Sequence, residues 1–447
     1  MTKNNAPQTL KGFRDFLPEE KRIRDQVSSN IIKTFESFGF EPVETPTLEY
    51  ASLLLGKYGQ EADKLVYTFK DRGNREIGLR YDQTVPTARV LTQYGSKLPK
   101  FFRRYQIQSV FRADKPQKGR YREFTQCDID IFGTDSPISD AETIACTYFS
   151  FKNLNFPTIK INLNDRQILF DNLKPFTTPK LELMSIIQTI DKLDKKTAEE
   201  VQAELVTKGL TKEKAKQALE KINSASPTPN LKKIIATCQD LGVPKENLVF
   251  TPTLARGLDY YTGMIFEVII PELPIGSFGG GGRYDKLIND LGGPQIPAVG
   301  IAFGFDRIIE GVKQLKLLEN SLPNTQVQVS TIDQAYLPQS AKTASLLRKA
   351  KVNTEIYPNS QDNLGKQLKY ANQNQIPFVV IIGETEAKNN TFTLKNMTTG
   401  EQKTLTQSEL IKQLKKWLLS QSFWLVQNRF RSPRRLVPRM TEVIKYQ

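Results

Sequence analysis

The feature that most limits how this chain can fold is a pair of extended segments joined by a long basic loop. Residues 105–111 and 124–131 alternate apolar and polar side chains, the period-two signature of strands with one covered face. Between them lies a polar stretch, 113–122, that carries Lys115, Lys118, Arg120 and Arg122. Two strands around such a loop read as a device for reaching a phosphate-bearing ligand; a charged hairpin standing in solvent is the alternative. The whole of 79–132 reads as mostly extended.

The 447 residues leave room for about two to four domains. Residues 1–9 read as a loose leader. A helix starts at Pro18, with Glu19 and Glu20 in its first turn, Ile23, Val27, Ile31 and Phe35 on one face, and Gly39 as its stop. A strand over 40–43 then meets Pro46. Residues 181–222 are rich in Lys, Glu, Ala and Leu and break near Gly209, which predicts two or three amphipathic helices in a small insertion at about 180–245. Strands are expected at 248–250 and 264–270, a glycine-rich turn at 276–283, and helices from Tyr284 and over 304–315. A linker at 320–325 divides a first domain, 1–319, from a second, 326–420. There strands at 327–332, 353–357 and 378–382 alternate with helices at 340–349 and 361–372, the pattern of a mainly parallel sheet. A hairpin pairing 391–397 with 402–405 and a helix over 408–419 complete it.

No histidine occurs anywhere, which removes the Ser-His-Asp triad, histidine zinc helices and any imidazole general base. Cys127, Cys146 and Cys238 are too widely spaced for a zinc cluster or a disulfide framework. No metal site is expected from histidine or cysteine, so chemistry falls to carboxylates, arginines, tyrosines and bound substrate. The net charge of +15 suits a polyanionic partner such as nucleic acid, or a dispersed solubilising surface. The longest apolar runs, 378–382 among them, are too short to cross a bilayer. The opening residues 1–11 lack the apolar core of a secretory signal. A cytoplasmic protein with no membrane partner is expected. The basic tail, 421–447, holds Arg429, Arg431, Arg434, Arg435, Arg439 and Lys445 against Glu442 alone. It reads either as an RNA-contacting extension or as an appendage without a selected role.

Three clusters carry chemistry. The run Gly279, Gly280, Gly281 and Gly282 is followed by no Gly-Lys-Ser/Thr and fits no dinucleotide fingerprint, so it favours a backbone packed closely against a neighbour, or approached closely by a ligand, over phosphate cradling. Arg112 at the end of one strand, with Arg120 and Arg122 on the return, suits a nucleoside triphosphate, because guanidinium forks bind phosphate oxygens bidentately. Arg256, Asp259, Tyr260 and Tyr261 offer a cation and hydroxyl donors to a small polar ligand, or form a turn with surface tyrosines.

With these residues quoted in order, the chain resembles the class II aminoacyl-tRNA synthetases, and among them the histidyl-tRNA synthetase family, over about 10–419. Leu10, Lys11, Gly12, Phe13, Arg14 and Asp15 resemble the family's opening. Phe38 to Pro42 and on to Pro46 resemble motif 1, the dimer-forming element, while 111–123 resemble motif 2 and 299–307 motif 3. Arg256, Gly257, Leu258, Asp259, Tyr260 and Tyr261 resemble the histidine-specific signature.

The resemblance implies an α+β catalytic core with an antiparallel sheet flanked by helices, a helical insertion, and a C-terminal α/β anticodon-binding domain. It implies a homodimer that ligates L-histidine to tRNA(His) with ATP and Mg²⁺ through a histidyl-adenylate, releasing pyrophosphate and AMP. By the same resemblance Asp82 and Thr84 hold the α-amino group of histidine, Gln126 and Asp130 contact the substrate, and Tyr260 and Tyr261 shape the imidazole pocket. Arg112 binds the α-phosphate, Arg120 the outer phosphates, and Phe124 and Arg307 sandwich adenine. Arg256 lies between the histidine carboxylate and the α-phosphate, and Gln117 meets the acceptor end of the tRNA. Some family members carry Glu where this chain has Asp82, Asp114 or Asp130. Other readings are a non-catalytic, histidine-binding regulatory paralogue from histidine biosynthesis and an RNA-sensing synthetase-like module. Arg112, Arg256, Arg307 and the C-terminal domain favour the enzyme.

Overall fold

The computed structural model of the chain describes residues 7–55, 63–116, 121–256, 260–290, 292–318 and 323–427, with only the backbone over 421–427. The chain divides into two compact units, Met1–Glu319 and Asn320–Gln447.

The first unit is built on an eight-stranded sheet. Its strands are β1 (Glu41–Pro42), β5 (Phe102–Phe111), β6 (Glu123–Phe132), β11 (Ala298–Gly304), β10 (Gly279–Arg283), β9 (Met264–Ile269), β7 (Lys160–Asp165) and β8 (Leu248–Phe250), in that spatial order. Every neighbour pair is antiparallel except the two at the edges, β1 with β5 and β7 with β8. A smaller sheet pairs β2 (Leu48–Tyr50), β4 (Glu76–Leu79) and β3 (Thr68–Lys70).

Alternation along the strands gives the large sheet one apolar face. Cys127, Ile129 and Ile131 of β6 and Val299, Ile301 and Phe303 of β11 point into a single core. The helices Pro18–Ser37 and Pro137–Asn153 supply the matching stripes, with Val27, Ile31, Phe35, Ile144 and Phe151 buried. The Phe303 ring lies 5.4 Å from that of Phe35 and 5.9 Å from that of Phe151. Each such side chain contributes about 1.5–3 kcal/mol by leaving water. Arg283, at the end of β10, ties the sheet to the second helix through Asp140, at 2.6 Å and 3.1 Å.

Several expectations are corrected by packing. The stretch expected to be extended contains the helix Thr84–Tyr94, whose Val85, Ala88 and Leu91 are buried. Its β-branched residues hide the helical period, and Asp82 Oδ1 accepts from the Val85 N–H at 3.1 Å to start it. The glycine-rich segment expected as a turn is strand β10, held on both edges by β9 and β11. The helix expected from Tyr284 is only Leu287–Asp290.

The helical segment holds Leu183–Ile190, Ala198–Thr207, Lys212–Asn223 and Pro229–Asp240. Thr197, Thr211 and Thr228 cap the last three by accepting from backbone N–H groups. Its apolar residues join the core of the large sheet.

In the second unit β13 (Thr354–Ile356), β12 (Val327–Thr331), β14 (Phe378–Ile382), β15 (Phe392–Asn396) and β16 (Gln402–Leu405) form one sheet in that order. The first three run parallel, and β14, β15 and β16 are antiparallel neighbours. All five residues of β14 are buried, as expected for a strand covered on both faces. Helices Leu337–Lys349 and Leu364–Gln373 make the crossovers. A short helix, Glu384–Asn389, precedes the hairpin, and the last helix runs over Gln407–Gln427, beyond its expected end. The arginines of the tail lie outside the described residues.

The glycine strand yields a stability prediction. A Cβ on Gly281 would stand 2.2 Å from the Gly300 carbonyl oxygen of the paired strand. Gly281→Ala should therefore cost about 1–3 kcal/mol in urea unfolding, the usual penalty for overpacking. Gly95 has nothing within 4 Å and a helical φ of −52°, so Gly95→Ala should be neutral or slightly stabilising.

Candidate active site

The face of the sheet opposite the core is polar and carries little side-chain bulk. On it β5 presents Arg104, Gln106 and Gln108, paired in register with Asp130, Asp128 and Gln126 of β6. Beside these, β11 offers only Gly300, Ala302 and Gly304, and β10 only Gly280 and Gly282. The missing Cβ atoms make the room. A Cβ on Gly300 would fall 1.8 Å from Asp130 Oδ1, one on Gly280 3.0 Å from Arg256 Nη1, and one on Gly282 3.1 Å from the Tyr261 ring. The expectation of close backbone packing at the glycine run thus has a spatial cause.

Asp130 is buried and held from two sides. Arg104 reaches its Oδ2 at 2.6 Å, and the Tyr284 hydroxyl donates to its Oδ1. Burial pushes the Asp130 carboxyl up, against the opposing pull of Arg104 and the Tyr284 hydrogen bond. Burial together with Asp130 pushes the Tyr284 phenol well up. Asp128, two residues earlier on the same face, is 3% exposed, and burial raises its carboxyl well above the ordinary range. Its Oδ2 meets Gln126 Nε2 at 3.5 Å, while its Oδ1 is buried without a hydrogen-bond partner. The charges of Arg104, Asp130, Asp82 and Arg112 all act on it, so these groups share one chamber.

Asp82 and Thr84 stand at the N-terminal end of the helix Thr84–Tyr94. Gln83 anchors that end to the hairpin, because its Nε2 donates to the carbonyls of Gln108 at 3.2 Å and Gln126 at 3.1 Å. Asp82, Thr84, Gln126 and Asp130 are therefore brought to one region by a single buried amide and one strand pairing.

Arg112 follows directly on β5. Its Nε donates to the Tyr81 carbonyl at 3.2 Å, and its guanidinium lies 4.3 Å from the Tyr81 ring and 5.1 Å from that of Phe124. An open cleft of about 280 Å³ is lined by Arg112, Tyr121, Phe124, Gly304, Asp306 and Arg307, among others. Phe124 and Arg307 thus face one cavity. Arg307 Nη1 donates to the Ser277 carbonyl, which orients its plane. Gln117 and Arg120 lie outside the described residues, as do Gly257, Leu258 and Asp259.

Arg256 crosses β10 above Gly280. Its Nε donates to Glu267 Oε2 at 2.5 Å, and the other oxygen of Glu267 accepts from Asn162 Nδ2 at 3.2 Å. Tyr260 and Tyr261 lie with ring centroids 4.4 Å apart, and Tyr260 meets Tyr284 edge-on at 6.3 Å. The two tyrosines consequently close the same chamber that holds Asp130.

Arg104, Asp128, Glu267 and Tyr284 were not reached from the sequence. Asp128 was open to a period-two count from Gln126 and Asp130. Arg104 and Glu267 come from strands 26 and 11 residues from their partners and Tyr284 lies 154 residues from Asp130, and strand register and order bring them in.

Known proteins resemble this chain along most of its length. The family model described as histidyl-tRNA synthetase matches residues 12–308, and the anticodon binding domain model matches 326–417. The histidine--tRNA ligase of Wolinella succinogenes is 37% identical over 423 residues, covering 89% of this chain and 95% of that protein. The same enzyme of Phocaeicola vulgatus is 38% identical, covering 91% and 98%. The crystal structure of histidyl-tRNA synthetase from Nostoc sp. superposes with a TM-score of 0.81 at 29% identity, covering 92% of this chain and 99% of that one.

The raised Asp128 carboxyl sets a pH dependence. The native state favours its protonated form, so its contribution is full below the unfolded value near 3.9 and is lost as pH rises through the raised native value. Asp128→Asn cannot ionise. Its melting temperature relative to the unsubstituted protein should climb as pH rises from about 4. A difference that stays constant with pH refutes this.

Proposed function

Since the chain belongs to the histidyl-tRNA synthetase family, we propose that it ligates L-histidine to tRNA(His) in two steps at this chamber. The observation that carries the reading is that Arg112, an open cleft of about 280 Å³ lined by Phe124 and Arg307, and buried Asp128 and Asp130 lie together on one sheet face.

In the first step the carboxylate of histidine attacks the α-phosphorus of ATP in line and expels pyrophosphate. Asp82 and Thr84, with Gln126, hold the α-ammonium group. Asp130 accepts from an imidazole N–H; an ionised carboxylate has about four lone-pair sites, so Arg104 and Tyr284 leave it capacity. Tyr260 and Tyr261 wall the ring. Phe124 and Arg307 take adenine between an aromatic face and a guanidinium plane. Arg112 meets the α-phosphate and Arg120 the outer phosphates. Arg256, steadied by Glu267, neutralises charge that grows between carboxylate and phosphorus.

The nucleophile is already ionised, so the step needs positioning and charge neutralisation rather than a general base. Mg²⁺ enters as part of the MgATP substrate, because this ion is commonly held by phosphates and one or two carboxylates. Among the described residues no group of three or more acidic or cysteine ligands is assembled to hold it alone.

In the second step the terminal ribose of tRNA attacks the adenylate and releases AMP, with Gln117 at the acceptor end. The second unit reads the anticodon, where unstacked bases are open to side chains. The working form is a cytoplasmic homodimer with an isologous interface. Leu48, Tyr50 and Phe69 expose apolar surface on the small sheet that follows motif 1, which supports the dimer. No helix among the described residues is long and apolar enough to cross a membrane.

The test is ATP–pyrophosphate exchange with each of the twenty amino acids in turn. Exchange should occur with histidine and fall by at least about a hundredfold in Arg256→Ala, the scale of losing one transition-state charge contact. Histidine binding without exchange would point to the regulatory paralogue instead.

A further inference from the structure

The motif-like opening at residues 10–15 has no part in the mechanism above, yet it lies against the nucleotide cleft. Arg14 Nη2 donates to Asp306 Oδ1 at 2.9 Å, and the same guanidinium covers the Tyr121 ring at 3.3 Å. Tyr121 and Asp306 both line the cleft that holds Phe124 and Arg307. They come from different walls, the hairpin return and the start of the helix Phe305–Gln314.

The backbone around Arg14 is fixed to the same hairpin. Arg122 N–H donates to the Gly12 carbonyl at 2.9 Å, and Arg122 Nη1 reaches the Lys11 carbonyl at 3.4 Å. Gly12 has φ of +91°, and a Cβ there would stand 2.8 Å from Arg122 Cγ, so only glycine admits this contact without strain. Arg122 in turn accepts through its carbonyl from the Arg112 N–H at 2.8 Å. The opening segment is thus hydrogen-bonded to the residue that pairs with Arg112.

We propose that residues 10–16 form a strap across the nucleotide cleft and that Arg14 is its positioning residue, setting the separation of Tyr121 from Asp306 and Arg307 for ATP. This rests on the ATP reading given above. Arg24 makes the role separable from folding. Its Nη1 also binds Asp306 Oδ1, at 2.6 Å, and its Nη2 donates to Thr125 Oγ1 at 3.0 Å. Without Arg14, Asp306 keeps a partner; what is lost is the link to Tyr121.

The experiment is histidine-dependent ATP–pyrophosphate exchange on the full chain, with KM measured separately for ATP and for histidine. Arg14→Ala should raise the KM for ATP by about tenfold, the scale of one partly desolvated cation–π contact, and leave that for histidine within about twofold. Arg14→Lys keeps the charge on Asp306 but not the planar stack, and should lie between the two. Tyr121→Leu reads the contact from the other side and serves if Arg14→Ala does not fold. An ATP KM within about twofold of the unsubstituted enzyme in folded Arg14→Ala or Tyr121→Leu, or an equal rise in both KM values, overturns the strap. If the unsubstituted chain shows no exchange at all, the ATP reading fails rather than the strap.

Discussion

The ten-residue antiparallel ladder between Phe102–Phe111 and Glu123–Phe132 is the pairing on which the rest of the catalytic unit depends. Its register sets Arg104 opposite Asp130, Gln106 opposite Asp128 and Gln108 opposite Gln126. It also leaves Arg112 and Phe124 at its open end. Strand side chains alternate, so a slip of one residue would send the acids into the aromatic core and bring Ile129 and Ile131 onto the polar face. The core contacts of Phe35, Phe151 and Phe303 therefore guard the geometry of a site they never touch.

Gathering Asp128 and Asp130 on one strand face, with Asp82 beside them at the start of a helix, has an electrostatic cost, and nearby donors offset it. Arg104 and Tyr284 meet Asp130, Gln126 meets Asp128, and Val85 N–H meets Asp82. A buried carboxylate without such donors would be expensive. Arrangement in advance of substrate is what this chemistry requires, because charges that are already oriented need no reorganisation during reaction. The glycines of β10 and β11 belong to the same logic. They remove bulk where Arg256, Tyr261 and Asp130 must approach the sheet.

A chain without histidine that handles histidine is chemically consistent. In the proposed reaction the substrate's carboxylate is the nucleophile, so the protein is asked for cations, acceptors and ring faces rather than a titrating base. In that proposal arginine, aspartate and tyrosine supply these, and Phe124 supplies a ring face. Buried Cys127, Cys146 and Cys238 have thiols raised by burial and act as small apolar residues in the core.

Local patterns were legible in the sequence where a single period ran undisturbed. The first helix, the two hairpin strands and the strand–helix alternation of the second unit could all be read from spacing. Motifs 1 to 3 and the signature at 256–261 carry the resemblance to the family. The helix Thr84–Tyr94 was not legible, since its Val and Thr residues mask a period that only burial against Phe102, Phe132 and Ile288 selects. The glycine run did not announce a strand either, because glycine has no side chain to alternate. Pairing with β9 and β11 supplies the hydrogen bonds that make it one. The partners Arg104 of Asp130, Glu267 of Arg256, and Arg14 of Asp306 lie 26, 11 and 292 residues away in the chain. Sequence determined which side chains were present and which local segments could form. The tertiary fold alone decided which charges meet, because strand order and register, set by burial of the opposite face, fix distances that chain separation does not.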